Sequence, residues 1–293
     1  MLSLYGYEYA IKNVYLAARS ALGERQVNNL DQLRCFYLDA LTKLAPKLPI
    51  NRSQSRIIVD LAVEERLTAF FSTSVLDDLR QDQAIGPAYP PETKQAKLDR
   101  VSEAWDALTG RSIEFARTLN LIVHSVFVRS AVGAGKRTPR AGTTSLAPGV
   151  IWLAVHDNES VEDLIEILIH ELTHLLMFTD ELIHPQFDYT DIAKRDTFTL
   201  SALLGAVRPL DKVVHSMVVG TEIIMGRSAL RPVSHCGTGA HPDSRVIAAG
   251  VSSAYLQLVE HPLAVDSLTQ HTQEIIARCH GVCGAYNLEP ATL

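Results

Sequence analysis

Apolar and polar positions alternate along most of the chain with the period of a half-buried helix, and one short region breaks that rhythm. Apolar residues recur at three- and four-residue spacing over 9–22, 31–44 and 56–79, as expected for helices that bury one face. Pro87, Pro90 and Pro91 punctuate the chain, and the helical pattern resumes over 92–108. The rhythm then changes. Residues 121–128 (Leu-Ile-Val-His-Ser-Val-Phe-Val) and 150–155 (Val-Ile-Trp-Leu-Ala-Val) are rich in β-branched and aromatic side chains, which predicts two pairing strands near 120–129 and 150–155. A Gly-, Thr- and Pro-rich loop, 133–149, joins them and is expected to act as a mobile cover. Ser160 is placed to cap a central helix, with Glu162 and Asp163 in the first turn where the helix dipole favours negative charge. That helix is predicted to run to about Phe178. Further helices are expected over 191–204, from Arg208-Pro209 to about Gly226, and over 244–279, proline being well suited to a first helical position. The pattern predicts an α+β fold that is mostly α-helical, with a small sheet packed on the central helix. Residues 1–110 read as a helical N-terminal region and 111–293 as a metal-binding catalytic domain, the two being compatible with one continuous domain.

Composition narrows the function classes. Of 293 residues, 47% are hydrophobic and 20% charged, which is ordinary for a chain that buries a core. The formal charge of -6 argues against a nucleic-acid partner, which calls for a basic face. The densest basic stretch, Lys136 to Arg140, reads as a solvated loop. No run approaches the roughly 20 apolar residues that span a bilayer, and the first ten residues lack the basic start of a signal peptide. Cys35, Cys236, Cys279 and Cys283 follow no zinc-ribbon or disulfide spacing. The Cys279, His280, Cys283 group reads as a helix end rather than a second metal site. A reducing, cytoplasmic setting is expected, and nothing points to a particular oligomeric state.

The central helix carries His170-Glu171-Leu172-Thr173-His174, an HExxH sequence. Positions i and i+4 share a helix face about 6 Å apart along the axis, so both imidazoles can reach one divalent ion. Glu171 can reach a metal-bound water without itself ligating. Leu164, Ile167, Leu168, Leu172, Leu175 and Leu176 make this helix apolar, and burying two histidines and a glutamate there is costly without a role. A third ligand must come from elsewhere. His184, just before Pro185, reads as a turn residue. His215 and Glu222, seven residues apart on the helix after Arg208-Pro209, share a face, and helical rise separates them by about 10 Å, so one of the two is expected to serve.

With these residues in place, the chain resembles the HExxH-containing peptide-modification proteins encoded with ribosomally made, post-translationally modified peptides. The resemblance covers roughly residues 97–226. It includes the helix before the first strand, the 145–155 segment with Pro148-Gly149, the HExxH sequence, and Arg208-Pro209-Leu210 followed five residues later by His215. It implies an iron(II), 2-oxoglutarate-dependent oxygenase that uses O2 to hydroxylate a peptide side chain. His170, His174 and His215 would then ligate iron and leave positions open for co-substrate and oxygen. Arg208 and Arg195 are the nearest cationic candidates for the distal carboxylate of 2-oxoglutarate, and Glu171 would handle protons. No independent peptide-recognition motif accompanies the match, so a small-molecule substrate stays open beside a peptide.

Two other readings compete. In a zincin-type zinc metallopeptidase, Glu171 would be the general base toward a zinc-activated water, and the 150–155 strand would be the edge that binds an extended substrate. A Met-turn sequence is missing, and Thr221-Glu222 is half of the Asn-Glu ligand pattern. A structural zinc protein is the third reading, and it lacks nearby cysteines. His235-Cys236-Gly237 could supply one only by folding back.

Overall fold

Eleven α-helices and two small sheets make up the computed structural model over its described residues, 1–71, 84–132, 139–230 and 239–288. The fold is α+β and mostly helical. The chain divides into two units. One is Tyr7–Ile183, and the other joins Met1–Gly6 to His184–Leu293. The single turn α1 (Leu2–Tyr5) belongs to the second.

The Tyr7–Ile183 unit contains α2 (Tyr7–Leu22), α3 (Leu30–Leu44), α4 (Leu61–Thr68), α5 (Pro91–Arg111), α6 (Ile113–Ile122), β1 (Ser125–Val128), β2 (Ala141–Gly142), β3 (Val150–Leu153) and α7 (Val161–Glu181). Side-chain caps set several starts. Asn29 accepts from Gln32 N at 2.9 Å, Asp60 from Ala62 N at 2.8 Å, and Ser112 from Phe115 N at 3.3 Å, each satisfying an N–H that the first turn leaves unpaired. The sheet order is β1-β3-β2, with β1 parallel to β3 and β2 antiparallel to it. Every residue of β1 and β3 is buried, as a strand covered on both faces requires. Ile57 bridges to Val126, which lengthens the sheet on the other side of β1.

The entry to β3 depends on one turn. Gly149 has φ +87°, and a Cβ there would come within 2.7 Å of His124 Cδ2 and 2.8 Å of the Ile122 carbonyl. Its carbonyl accepts from His124 N and Ser125 N. The His124 ring is fully buried, with Nδ1 2.9 Å from Ser125 Oγ and Nε2 3.2 Å from the Pro148 carbonyl. Burial, aided by Arg34, Arg56 and Arg52, outweighs the Pro148 bond and lowers its pKa to about 3. His124 is therefore a neutral structural strut.

In the second unit, β4 (Thr199–Leu200) and β5 (Val207–Arg208) form a hairpin. The remaining helices are α8 (Leu210–Leu230), α9 (Ser244–Val259), α10 (Pro262–Asp266) and α11 (Gln270–Leu288). α8 is buried nearly all round and packs on α1, α9 and α11. Glycines permit the closest approaches. A Cβ at Gly220 would lie 2.9 Å from Ile247 Cγ2, and one at Gly250 would lie 2.3 Å from the Ala202 carbonyl oxygen. No helix among the described residues is long and apolar enough to cross a membrane.

Several elements differ from the sequence reading. The strand expected from 120 begins at Ser125, because α6, capped by Ser112, runs through Ile122. Arg34 Nη1 closes that helix by donating to the Leu121 and Val123 carbonyls at 3.2 and 3.1 Å. The helix expected over 56–79 starts only at Leu61, since residues 56–58 pair with Val126; its part beyond 71 lies outside the described residues. The helix expected over 191–204 is replaced by turns, a 3-10 turn at Arg195–Thr197, and β4. Local bonds compete with helix there: Asp188 Oδ1 accepts from Thr190 N at 2.9 Å, and Thr197 Oγ1 donates to the Lys194 carbonyl at 2.8 Å. The long C-terminal helix breaks into three, at His261-Pro262 and before Gln270. Position 110 falls inside α5. Of the loop expected over 133–149, residues 133–138 lie outside the described set, and the remainder is β2 and a turn rather than a free cover. Residues 136–138 of the basic stretch and the His235-Cys236-Gly237 segment also lie outside it.

Candidate metal centre

The HExxH segment lies in the middle of α7, whose start is secured by a reciprocal cap. Asp163 N donates to Ser160 Oγ at 3.1 Å, and Ser160 N donates to Asp163 Oδ2 at 2.7 Å. The far end is tied to α2 and α3. Asn13 Nδ2 and the Tyr9 hydroxyl donate to the buried Asp180 carboxylate, and Tyr37 Oη lies 3.4 Å from Thr179 Oγ1. The helix backbone that carries the motif is thus held at both ends.

His170 and His174 turn their Nε2 atoms toward each other, 3.1 Å apart, with ring centroids 4.9 Å apart. Phe178, one turn on, stacks on His174 at 22° and 6.4 Å. The side chain of His170 is 25% exposed, so the pair is open on one side. Two imidazole nitrogens bound to one ion at about 2.0–2.1 Å sit roughly 2.9–3.4 Å apart as neighbouring ligands. The observed separation meets that requirement.

Glu171 points into the protein. It is 3% exposed, with Oε1 4.0 Å from His170 Nε2, and its Oε2 is buried with no hydrogen-bond partner among the described residues. Burial pushes its pKa up to about 8, against a lowering contribution from Thr143. A carboxyl so placed exchanges a proton near neutral pH. Thr143 directly follows β2, which packs on α7. The edge strand of this sheet is therefore Ala141–Gly142. Residues 150–153, expected at the edge, are central between β1 and β2, because the returning segment after 138 adds a strand outside them.

The other candidates belong to the second unit. His215 is buried on α8, and desolvation, reinforced by Lys212, lowers its pKa to about 3. It is thus neutral, the form in which imidazole ligates metal. Glu222 is committed elsewhere. Its carboxylate accepts from Ser3 N and Leu4 N, both at 2.9 Å, and from the Met1 ammonium. That engagement argues against the Glu222 alternative. Arg208 is buried in β5, in register with Thr199, whereas Arg195 is exposed in the 3-10 turn. His184 lies beside His271, ring centroids 4.7 Å apart. Cys279 and Cys283 are buried thiols whose pKa values burial raises to about 12 and about 11, so they stay protonated and are poor ligands.

Among the described residues no group of three or more His, Cys, Asp or Glu side chains is gathered as a metal cluster. What the structure brings together is the His170–His174 pair with Glu171 beside it. Sequence reading overlooked two neighbours. Phe178 was legible as the next i+4 position after His174. Thr143 carried no motif signal, since only the folding of β2 onto α7 brings it near Glu171. The chain matches no protein-family model, and no curated protein matches it in sequence.

Proposed function

We propose that the chain is a mononuclear metalloenzyme, with His170 and His174 as two of its metal ligands, acting as an iron(II), 2-oxoglutarate-dependent oxygenase on a peptide side chain. The observation that carries the metal reading is the 3.1 Å approach of the two Nε2 atoms. Two histidine nitrogens side by side in a mostly apolar stretch of α7 find a common purpose in one cation. The finer reading rests on the resemblance over residues 97–226. There His215 is the third ligand, and its neutral, buried imidazole is in the required state.

Iron with 2-oxoglutarate and O2 supplies oxidative chemistry in which a C–H bond becomes C–OH, one oxygen atom enters the product, and the other enters succinate as CO2 is released. The chain's own residues have simpler tasks. By the resemblance, His170, His174 and His215 would hold the ion. Arg208, a buried guanidinium, is the better candidate for the distal carboxylate of the co-substrate, and Arg195 is the weaker one because it is exposed. Glu171 holds or passes a proton beside the pair.

One observation favours a second reading, a zinc metallopeptidase. Glu171 has the buried position and raised proton affinity of a general base, and β2 is an antiparallel edge beside its helix. The test is anaerobic reconstitution with iron(II) followed by 2-oxoglutarate, read as the visible charge-transfer band of the chelate. A band that disappears in His215→Ala supports the oxygenase and its third ligand together. Absence of the band, with stoichiometric zinc uptake, transfers the assignment to the peptidase.

A further inference from the structure

The second unit contains a cleft of about 330 Å³ between the β4–β5 hairpin and the corner where α9 meets α10. Its hairpin wall is Phe198, Thr199 and the outward-facing Val207, and its helical wall is Gln257, Glu260 and His261. Two features give this cleft one polarity, and a third leaves a polar group unmet beside it. Glu260 carries the only formal charge among the lining residues and makes no ion pair among the described residues. It also sits at the C-cap of α9, a 16-residue helix with no basic residue in its last turn. There the carboxylate adds to the negative end of the helix dipole instead of opposing it. α10 begins at Pro262 but has five residues, so its short dipole compensates little. Finally, Thr199 is 4% exposed, and its hydroxyl has no hydrogen-bond partner among the described residues, a polar defect that a bound group able to hydrogen-bond would relieve. Local rules broken without structural return are characteristic of functional positions.

We propose that this cleft binds an organic cation, an ammonium or guanidinium group on an apolar stem, with the charge at Glu260 and the α9 C-terminus and the stem along Phe198 and Val207. Its volume falls within the range of small-ligand sites. The same chemistry is offered by a free alkylamine or by a basic side chain of a peptide. The site is independent of the metal reading and stands or falls without it.

The test titrates the full chain with hexylammonium, hexanol and hexanoate, following methyl NMR shifts of Val207. Saturable shifts with hexylammonium alone, weakened at least about tenfold by Glu260→Gln and lost in Glu260→Lys, are expected. Glu260 is exposed, so neither variant puts folding at risk. Thr199→Val should weaken binding further by a few-fold. Equal binding of hexanoate, or hexylammonium binding unchanged in Glu260→Lys, overturns the proposal. Nα-acetyl-lysine methylamide separates the sources: tighter binding than hexylammonium assigns a peptide side chain, and weaker binding assigns a free amine.

Discussion

α7 and α8 invite comparison. Each is 21 residues long and mostly buried, and each carries histidine and buried glutamate in its interior, His170, His174 and Glu171 on α7 and His215 and Glu222 on α8. They treat the glutamate in opposite ways. Both oxygens of Glu222 on α8 accept hydrogen bonds from the first turn of the chain, and a cationic amine lies alongside. Glu171 on α7 has one oxygen without a partner and a pKa raised to about 8. A fully bonded buried carboxylate is a fastener, and removing it strands its donors. A partly bonded one beside two histidines contributes little to the fold, which makes it a candidate for chemistry. Burial alone does not separate the two cases; hydrogen-bond satisfaction does.

The strongest way to break this comparison is to remove the fastener. Glu222→Ala should cost about 3–5 kcal/mol, because the amides of Ser3 and Leu4 lose a buried acceptor. Urea denaturation measures it, and a loss below about 1 kcal/mol would show that α1 is held by other contacts. Next in size, His174→Ala should lower affinity for a divalent metal by roughly 100-fold or more while leaving the fold intact, as read by metal analysis after dialysis. Unchanged metal content would place the ion elsewhere.

A third buried titratable group extends the rule to pH. His124 has a folded pKa of about 3 against 6.5 unfolded, so between these values the unfolded chain binds more protons. Stability is therefore fully present above about pH 6.5 and is lost as pH falls toward 3. The difference between pH 8 and pH 5 should be roughly 2 kcal/mol, and His124→Asn should remove it from the metal-free protein. Last, Glu171→Gln should hold or raise stability at pH 7, since it replaces an acid that must take up a proton on burial with a neutral amide of the same shape. A large loss there would make Glu171 a fastener too and end the contrast.

Legibility from sequence followed the range of the forces involved. The start of α7 was readable because Ser160 and Asp163 cap it three residues apart, and the HExxH geometry because helical repeat alone aligns His170 with His174. α3 and α5 were readable within a residue or a few for the same reason. The 191–204 segment was misread because the Asp188 carboxylate and the Thr197 hydroxyl bond the backbone locally, the latter to the Asp191 and Lys194 carbonyls, and so compete with an apolar spacing that suggested helix. The first strand was misplaced because Ser112 and Arg34 close α6 from outside the β-branched run. β2 was missed because a two-residue strand has no period of its own and exists by pairing with β3.

By itself, then, the sequence determined the helical character of the chain, the capped central helix, and the presentation of His170 and His174 on one face with Glu171 behind, because contacts within four residues carry that information. Only the tertiary structure decided that Glu222 serves the N-terminal turn, that β3 is central and β2 is the edge, and that Glu260 closes α9 beside an apolar cleft. Those outcomes depend on partners 10 to 221 residues away, and no local period encodes which partner arrives.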